Sequence, residues 1–212
     1  MKKIYILLTD TGTLFTRFIR LYTKKPYNHA SIAFDSELYE VYSFGRKTAW
    51  NPFYGGFVKE DVRNGLFKRA KCVLYSLTVT EDQMERMIRY MTEMEKQKEC
   101  YRYNLIGLFG FLLNKPIHRK RAFFCSQFVA SVLVESKVVA FNKPEQLVAP
   151  YDLQNLHQLT LVYEGQLHVY HHNYENKTVR VPVGFMPIEI RSFAYNAIDL
   201  PLISRYLPFL RL

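Results

Sequence analysis

At 212 residues the chain is long enough for one sizeable core, and its 49% hydrophobic and 16% aromatic content excludes a disordered polymer. Its formal net charge of +10 points to an anionic substrate or surface, such as a membrane, a lipid or an anionic polymer. No zinc-knuckle, helix-turn-helix or RNP-type pattern accompanies the charge, so nucleic acid is not an expected partner.

The opening MKKIYILLTDTG has a Lys pair, but its apolar stretch runs only from Ile4 to Leu8. An export signal needs ~7–15 apolar residues and a bilayer span ~20, so this segment reads as a first buried strand. The expected location is cytoplasmic, with peripheral membrane contact allowed by the basic charge. There Cys72, Cys100 and Cys125 are expected as free thiols.

Leu14, Phe15, Phe18, Ile19 and Tyr22 recur at helical spacing, with Thr11 or Thr13 as N-cap and Pro26 as the stop. NHASIAF and LYEVYSF then read as a strand hairpin around DSE. Residues 45–70, with four Gly, two Asn and one Pro, read as a long surface loop, and CVLYSLTV (72–79) as another strand. TEDQMERMIRYMTEMEKQ is the clearest helix. Thr80 and Gln83 form a capping box, and Met84, Met87, Ile88 and Met91 make one apolar stripe, more simply core than binding face. A second helix starts near Cys125 and buries Phe128, Val129, Val132 and Leu133. KPEQL and APYDLQNL read as short proline-opened helices. LTLVYEGQLHVYHH reads as a hairpin turning at Glu164-Gly165, TVRVPV as a further strand, and LPLISRYLPFLRL as an apolar-basic tail. The tail is expected to pack back on the domain, with a membrane-surface element as the alternative.

The chemistry turns on AFFCSQFVASVL (122–133). A cysteine is commonly a small core hydrophobe. At a helix start it can instead be a nucleophile, because the macrodipole favours a thiolate there. It then needs a base. His29 opens a strand whose alternation puts His29, Ser31 and Ala33 on one face and Ala30, Ile32 and Phe34 on the other. An imidazole on a face of small residues leaves room for a thiol and a substrate.

A His-bearing strand, a carboxylate on the next strand and a much later Cys at a helix start follow one another here. The words YNHASIAFD, LYEVYSFGRK, NPFYGGFVKE, YRYNLIG, FFCSQFVASVL and PEQLVAPYDL occur in that order. Together they resemble the circularly permuted papain-like proteins of the NlpC/P60 superfamily. That branch includes bacterial amidase-like proteins and, more distantly, lecithin:retinol acyltransferase-type enzymes. The resemblance covers about residues 3–160, taken as the catalytic core. Residues 161–212 lie outside it and are expected to pack on the same domain.

The resemblance implies an α+β, permuted papain-like fold, with an antiparallel sheet against the helix that bears the nucleophile. It implies Cys125 as nucleophile, His29 as base and Glu40 as the orienting third member, with the Cys125 N–H in an oxyanion hole. The hairpin leaves Glu40 open to attack: a three-residue DSE loop would turn it to the other face, with Ser43 or Glu60 as substitutes. The relatives that transfer acyl groups carry a second His on this strand, and this chain has none there. Substrate-binding candidates are Ser31, Trp50, Tyr54, Ser126 and Gln127, with the Gly55-Gly56 pair letting a loop approach the groove.

The leading expectation is a cysteine hydrolase of an amide, isopeptide or ester bond, using an acyl-enzyme and no cofactor. The alternatives are transfer of the acyl group to a lipid or amine, and a non-catalytic module for an anionic partner. No metal is expected: in HVYHH, His168 and His171 would have opposite strand parity. FGRKTAWNPFYGGF lacks the spacing of a phosphate-binding loop. Cys72 and Cys100 read as bystanders.

Overall fold

Strand β1 (Lys2–Asp10) is buried at Ile4 and from Ile6 to Thr9, because it lies in the middle of a sheet in which every neighbour is antiparallel. The computed structural model describes residues 1–12, 24–46 and 55–172. Around β1 stand β2 (His29–Ala33), β3 (Val41–Arg46), β4 (Gly55–Lys59), β5 (Lys71–Val79) and β8 (Thr160–Gln166), in the order β4-β3-β2-β1-β5-β8. Two short strands, β6 (Arg102–Tyr103) and β7 (Ala122–Phe123), pair in parallel as a separate ribbon. The helices are α1 (Glu81–Lys96), α2 (Leu105–Leu112), α3 (Cys125–Glu135) and α4 (Pro150–Gln154). The arrangement is α+β.

Alternation gives the sheet two buried faces. Ile4, Ile6 and Leu8 of β1, Ala30 and Ile32 of β2, and Phe44 and Phe57 beyond them join the methionines of α1 and Phe128 and Val129 of α3 in the larger cluster. Phe44, Phe57 and Phe128 meet there at 5.2–6.0 Å between ring centroids. On the opposite face Leu7, Ala33, Val41, Cys72 and Leu74 are covered by Leu167 and Tyr170. The α1 stripe is buried as its periodicity predicts. Its capping box is formed, with the Thr80 hydroxyl accepting from the Gln83 N–H and the Gln83 side chain accepting from the Thr80 N–H.

Two sequence expectations are corrected. Residues 45–70 are not one long loop, because Gly55–Lys59 is a strand that pairs with β3 from Tyr42↔Lys59 to Arg46↔Gly55. Its glycines hid it, yet they serve the pairing: a Cβ on Gly55 would lie 2.6 Å from the Gly45 carbonyl oxygen. Residues 160–172 are not a hairpin either. β8 runs through Glu164-Gly165 along the edge of β5, and residues 167–172 turn helical to cover the second face. The expected first helix (within 11–25), the TVRVPV strand and the apolar-basic tail lie wholly or largely outside the described residues. No helix among the described residues is long and apolar enough to cross a membrane.

Candidate active site

Strand register decides which side chains share a face with His29. Ile32 stands opposite Tyr42 and Ala33 opposite Val41, and the Phe34 N–H continues this register to the Glu40 carbonyl. Position 31 therefore faces 43, and positions 29, 31, 41 and 43 lie on one side. On β4, Val58 faces Ser43 and Lys59 faces Tyr42, and the Glu60 N–H reaches the Val41 carbonyl. Glu60 thus joins the His29 face, whereas Glu40, Tyr42 and Lys59 share the other.

The side chains follow this parity. Glu60 Oε1 lies 2.7 Å from His29 Nε2, and the Ser31 hydroxyl donates to Glu60 Oε2 at 2.5 Å. Glu40 is instead held by Lys59 Nζ at 2.6 Å and by the Tyr42 hydroxyl, so it does not serve the imidazole. The expectation that Glu40 orients His29 is corrected to Glu60, and the cause is the parity of the hairpin. Ser43 does not take the place either: its oxygen is 3.4 Å from Nε2, and its proton goes to the Ala30 carbonyl at 2.9 Å.

Cys125 is the first residue of α3 and is 7% exposed. Phe124, in extended conformation, precedes it and offers no side-chain cap, so the first-turn amides of α3 have no capping acceptor from that residue. Cys125 is a near neighbour of the His29 ring and one of the groups that raise its pKa. Burial works against a charged imidazole here. The Glu60 carboxylate and then Cys125 outweigh it, so the His29 pKa is raised well above its usual value. The other thiols differ. Cys72 is buried in β5, where burial and then Glu164 push its pKa up to about 12. Cys100 is exposed.

A cleft opens beside the thiol, walled by Tyr27, Tyr103, Phe111, Phe124, Pro150 and Tyr151, with Asn28 and Ser126 also on its lining. Lys25 lies at its rim with Nζ 3.6 Å from the Tyr151 ring centroid. The cleft is predominantly apolar. Asn28 donates to Asp10 Oδ1 at 2.9 Å and so ties the lining to the end of β1.

Of the substrate-binding candidates, Ser126 reaches the cleft, but its hydroxyl is committed to the Val148 carbonyl at 2.7 Å. Ser31 is fully buried beneath Glu60 and is a support for the carboxylate, not a substrate contact. Gln127 is buried on α3, away from the cleft lining. Trp50 and Tyr54 lie outside the described residues. Gly55 and Gly56 are strand residues and do not form a groove loop. The cleft aromatics carry no sequence signature, because they come from four separate segments that only the fold unites. His168, His171 and His172 sit in a helical stretch, so the strand parity assumed for them does not apply. Among the described residues no group of three or more His, Cys, Asp or Glu side chains could hold a metal ion.

Comparison of the chain with protein-family models, curated proteins and solved structures found no match to any of them.

Proposed function

We propose that the chain is a cysteine hydrolase that cleaves an amide, isopeptide or ester bond through an acyl-enzyme, on a circularly permuted papain-like architecture. The observation that carries this reading is His29 bonded to the Glu60 carboxylate at 2.7 Å, with Cys125 a near neighbour of the same ring. One ring then has an orienting carboxylate bonded to it and a nucleophile close by, the arrangement a thiol needs to become reactive at neutral pH. The chain order of a His strand, a following carboxylate and a later Cys helix supports the architecture.

In the proposed reaction the Cys125 thiolate stands beside the protonated His29 ring, and Sγ attacks the substrate carbonyl carbon. The oxyanion is received by the Cys125 N–H at the start of α3, where the helix dipole adds to the stabilisation. His29 returns the proton to the leaving nitrogen or oxygen as that bond breaks, leaving a thioester. It next takes a proton from water, whose oxygen attacks the thioester, and the carboxylic product departs as the thiol is restored. Glu60 holds the ring in one orientation and stabilises its charged form, and Ser31 fixes Glu60. The apolar cleft walls favour an acyl group with substantial apolar surface. They also keep open a second reading, in which a lipid or amine replaces water as acceptor.

Incubation with p-nitrophenyl acetate, followed by peptide mass spectrometry, tests the proposal without knowledge of the natural substrate. The expected result is a burst approaching one acyl group per chain, located on Cys125, absent in Cys125→Ala and strongly slowed in His29→Ala. Acylation confined to Cys100, or none, would return the chain to the class of non-catalytic binding modules.

A further inference from the structure

Helix α2 presents apolar residues to solvent. Ile106 is 53% exposed, Phe109 67% and Leu113, the C-cap, 71%. At 100° per residue these three positions fall within an arc of about 60°, so they form one stripe. Scattered exposed apolar residues need no explanation, but three on one helical face do.

The segment that follows is basic and fixed to the same helix. The Asn114 N–H reaches the Phe111 carbonyl at 3.1 Å and the Lys115 N–H reaches the Gly110 carbonyl at 2.8 Å. With Asn114 at φ +52°, this pair of bonds closes the helix as a Schellman motif. The turn lies tight on the helix: a Cβ on Gly110 would be 2.5 Å from the Lys115 carbonyl oxygen and 2.7 Å from Ile117. Lys115, His118, Arg119, Lys120 and Arg121 are all exposed along the turn and the segment behind it. Between Glu99 and Glu135 the chain carries Arg102, Lys115, Arg119, Lys120 and Arg121 and not one carboxylate side chain.

We propose that α2 and residues 114–121 form a docking surface for an anionic lipid bilayer. Ile106, Phe109 and Leu113 enter the interface, and the basic segment lies against the headgroups. The charge selects this occupant. An apolar stripe beside cationic side chains, with no neighbouring carboxylate in sequence, matches an anionic membrane surface, where each basic residue adds to the attraction. The placement also matters for access. Phe111 of the same helix lines the cleft beside Cys125 and packs on Phe124 at 6.2 Å between ring centroids. Docking through α2 would bring the cleft close to the bilayer surface. The inference stands on this surface alone and does not require Cys125 to be catalytic.

The test is co-sedimentation of the full chain with vesicles of phosphatidylcholine containing 30% phosphatidylglycerol, and with phosphatidylcholine alone. The variants are Phe109→Ser with Leu113→Ser, and Arg119→Ala with Lys120→Ala; thermal unfolding confirms that each is folded. Wild type is expected to bind the anionic vesicles and to bind the neutral ones weakly. Each double variant should lower the partition coefficient by about tenfold or more. Absence of wild-type binding overturns the proposal, as does binding that both double variants retain in full. A wild-type dimer that Phe109→Ser with Leu113→Ser converts to monomer, with no vesicle binding, assigns the stripe to a second copy of the chain and likewise overturns it.

Discussion

The two carboxylates near the first hairpin separate structure from chemistry at single residues. Glu60 bonds the imidazole through one oxygen and Ser31 through the other, with its side chain 7% exposed. Glu40 is equally hidden at 5% but bonds Lys59 and Tyr42 on the opposite face. Glu60→Gln should therefore slow Cys125 alkylation by about tenfold or more, because the amide does not stabilise a charged ring as a carboxylate does. Glu40→Gln should leave alkylation unchanged and lower stability by about 1–2 kcal/mol, since Lys59 is half exposed and water replaces part of what it loses. Urea unfolding, read with site-resolved alkylation, checks both. Equal effects of the two substitutions on Cys125 would refute the assignment. The placement of Cys125 and His29 was legible in the sequence because a helix start and a strand alternation are local patterns. The third member was not, because its identity depends on a cross-strand register set by the length of a turn.

At the scale of elements, each chemical group is placed by a segment whose own stability can be tested. The α1 capping box is the local device that starts the helix, and Thr80→Ala should cost about 1 kcal/mol without touching Cys125 reactivity. Strand β4 carries Glu60 into position, and its close pairing with β3 leaves no room for a Cβ at Gly55. Gly55→Ala should cost about 1–3 kcal/mol and slow Cys125 alkylation as well, because displacing β4 moves Glu60. Full alkylation in that variant would show that β4 does not position the site. This strand is the element the sequence hid most completely. Two glycines and the Asn51-Pro52 pair before them read as a loop, and only pairing with β3 makes GGFVK a strand. In contrast, α1 and β5 declared themselves through periodicity and β-branched content. The stretch after Glu164 misled for the opposite reason: a Gly suggested a turn where the chain continues straight along the edge of β5.

For the molecule as a whole, the partly buried His29–Glu60 pair couples folding to pH. Burial alone would lower the imidazole's pKa, but Glu60 and Cys125 raise it well above the unfolded value near 6.5. The folded state therefore holds a proton that the unfolded chain releases. The pair's contribution is complete below about pH 6.5 and is lost as pH rises through the raised folded value. Thermal unfolding followed from pH 6 upward should show an alkaline decline in wild type that His29→Gln lacks; parallel profiles would contradict the linkage. The central claim is that His29 makes a buried thiol the reactive one, and exposure and activation predict opposite orders for the cysteines. Iodoacetamide alkylation at pH 6.5, resolved by peptide mass spectrometry, decides between them, because an ordinary thiol is only about 1% thiolate at that pH. The account predicts that Cys125, 7% exposed, is modified faster than the exposed Cys100, that buried Cys72 stays unmodified, and that His29→Ala abolishes the lead of Cys125. If Cys100 reacts first and Cys125 is as inert as Cys72, with or without His29, the catalytic reading is wrong.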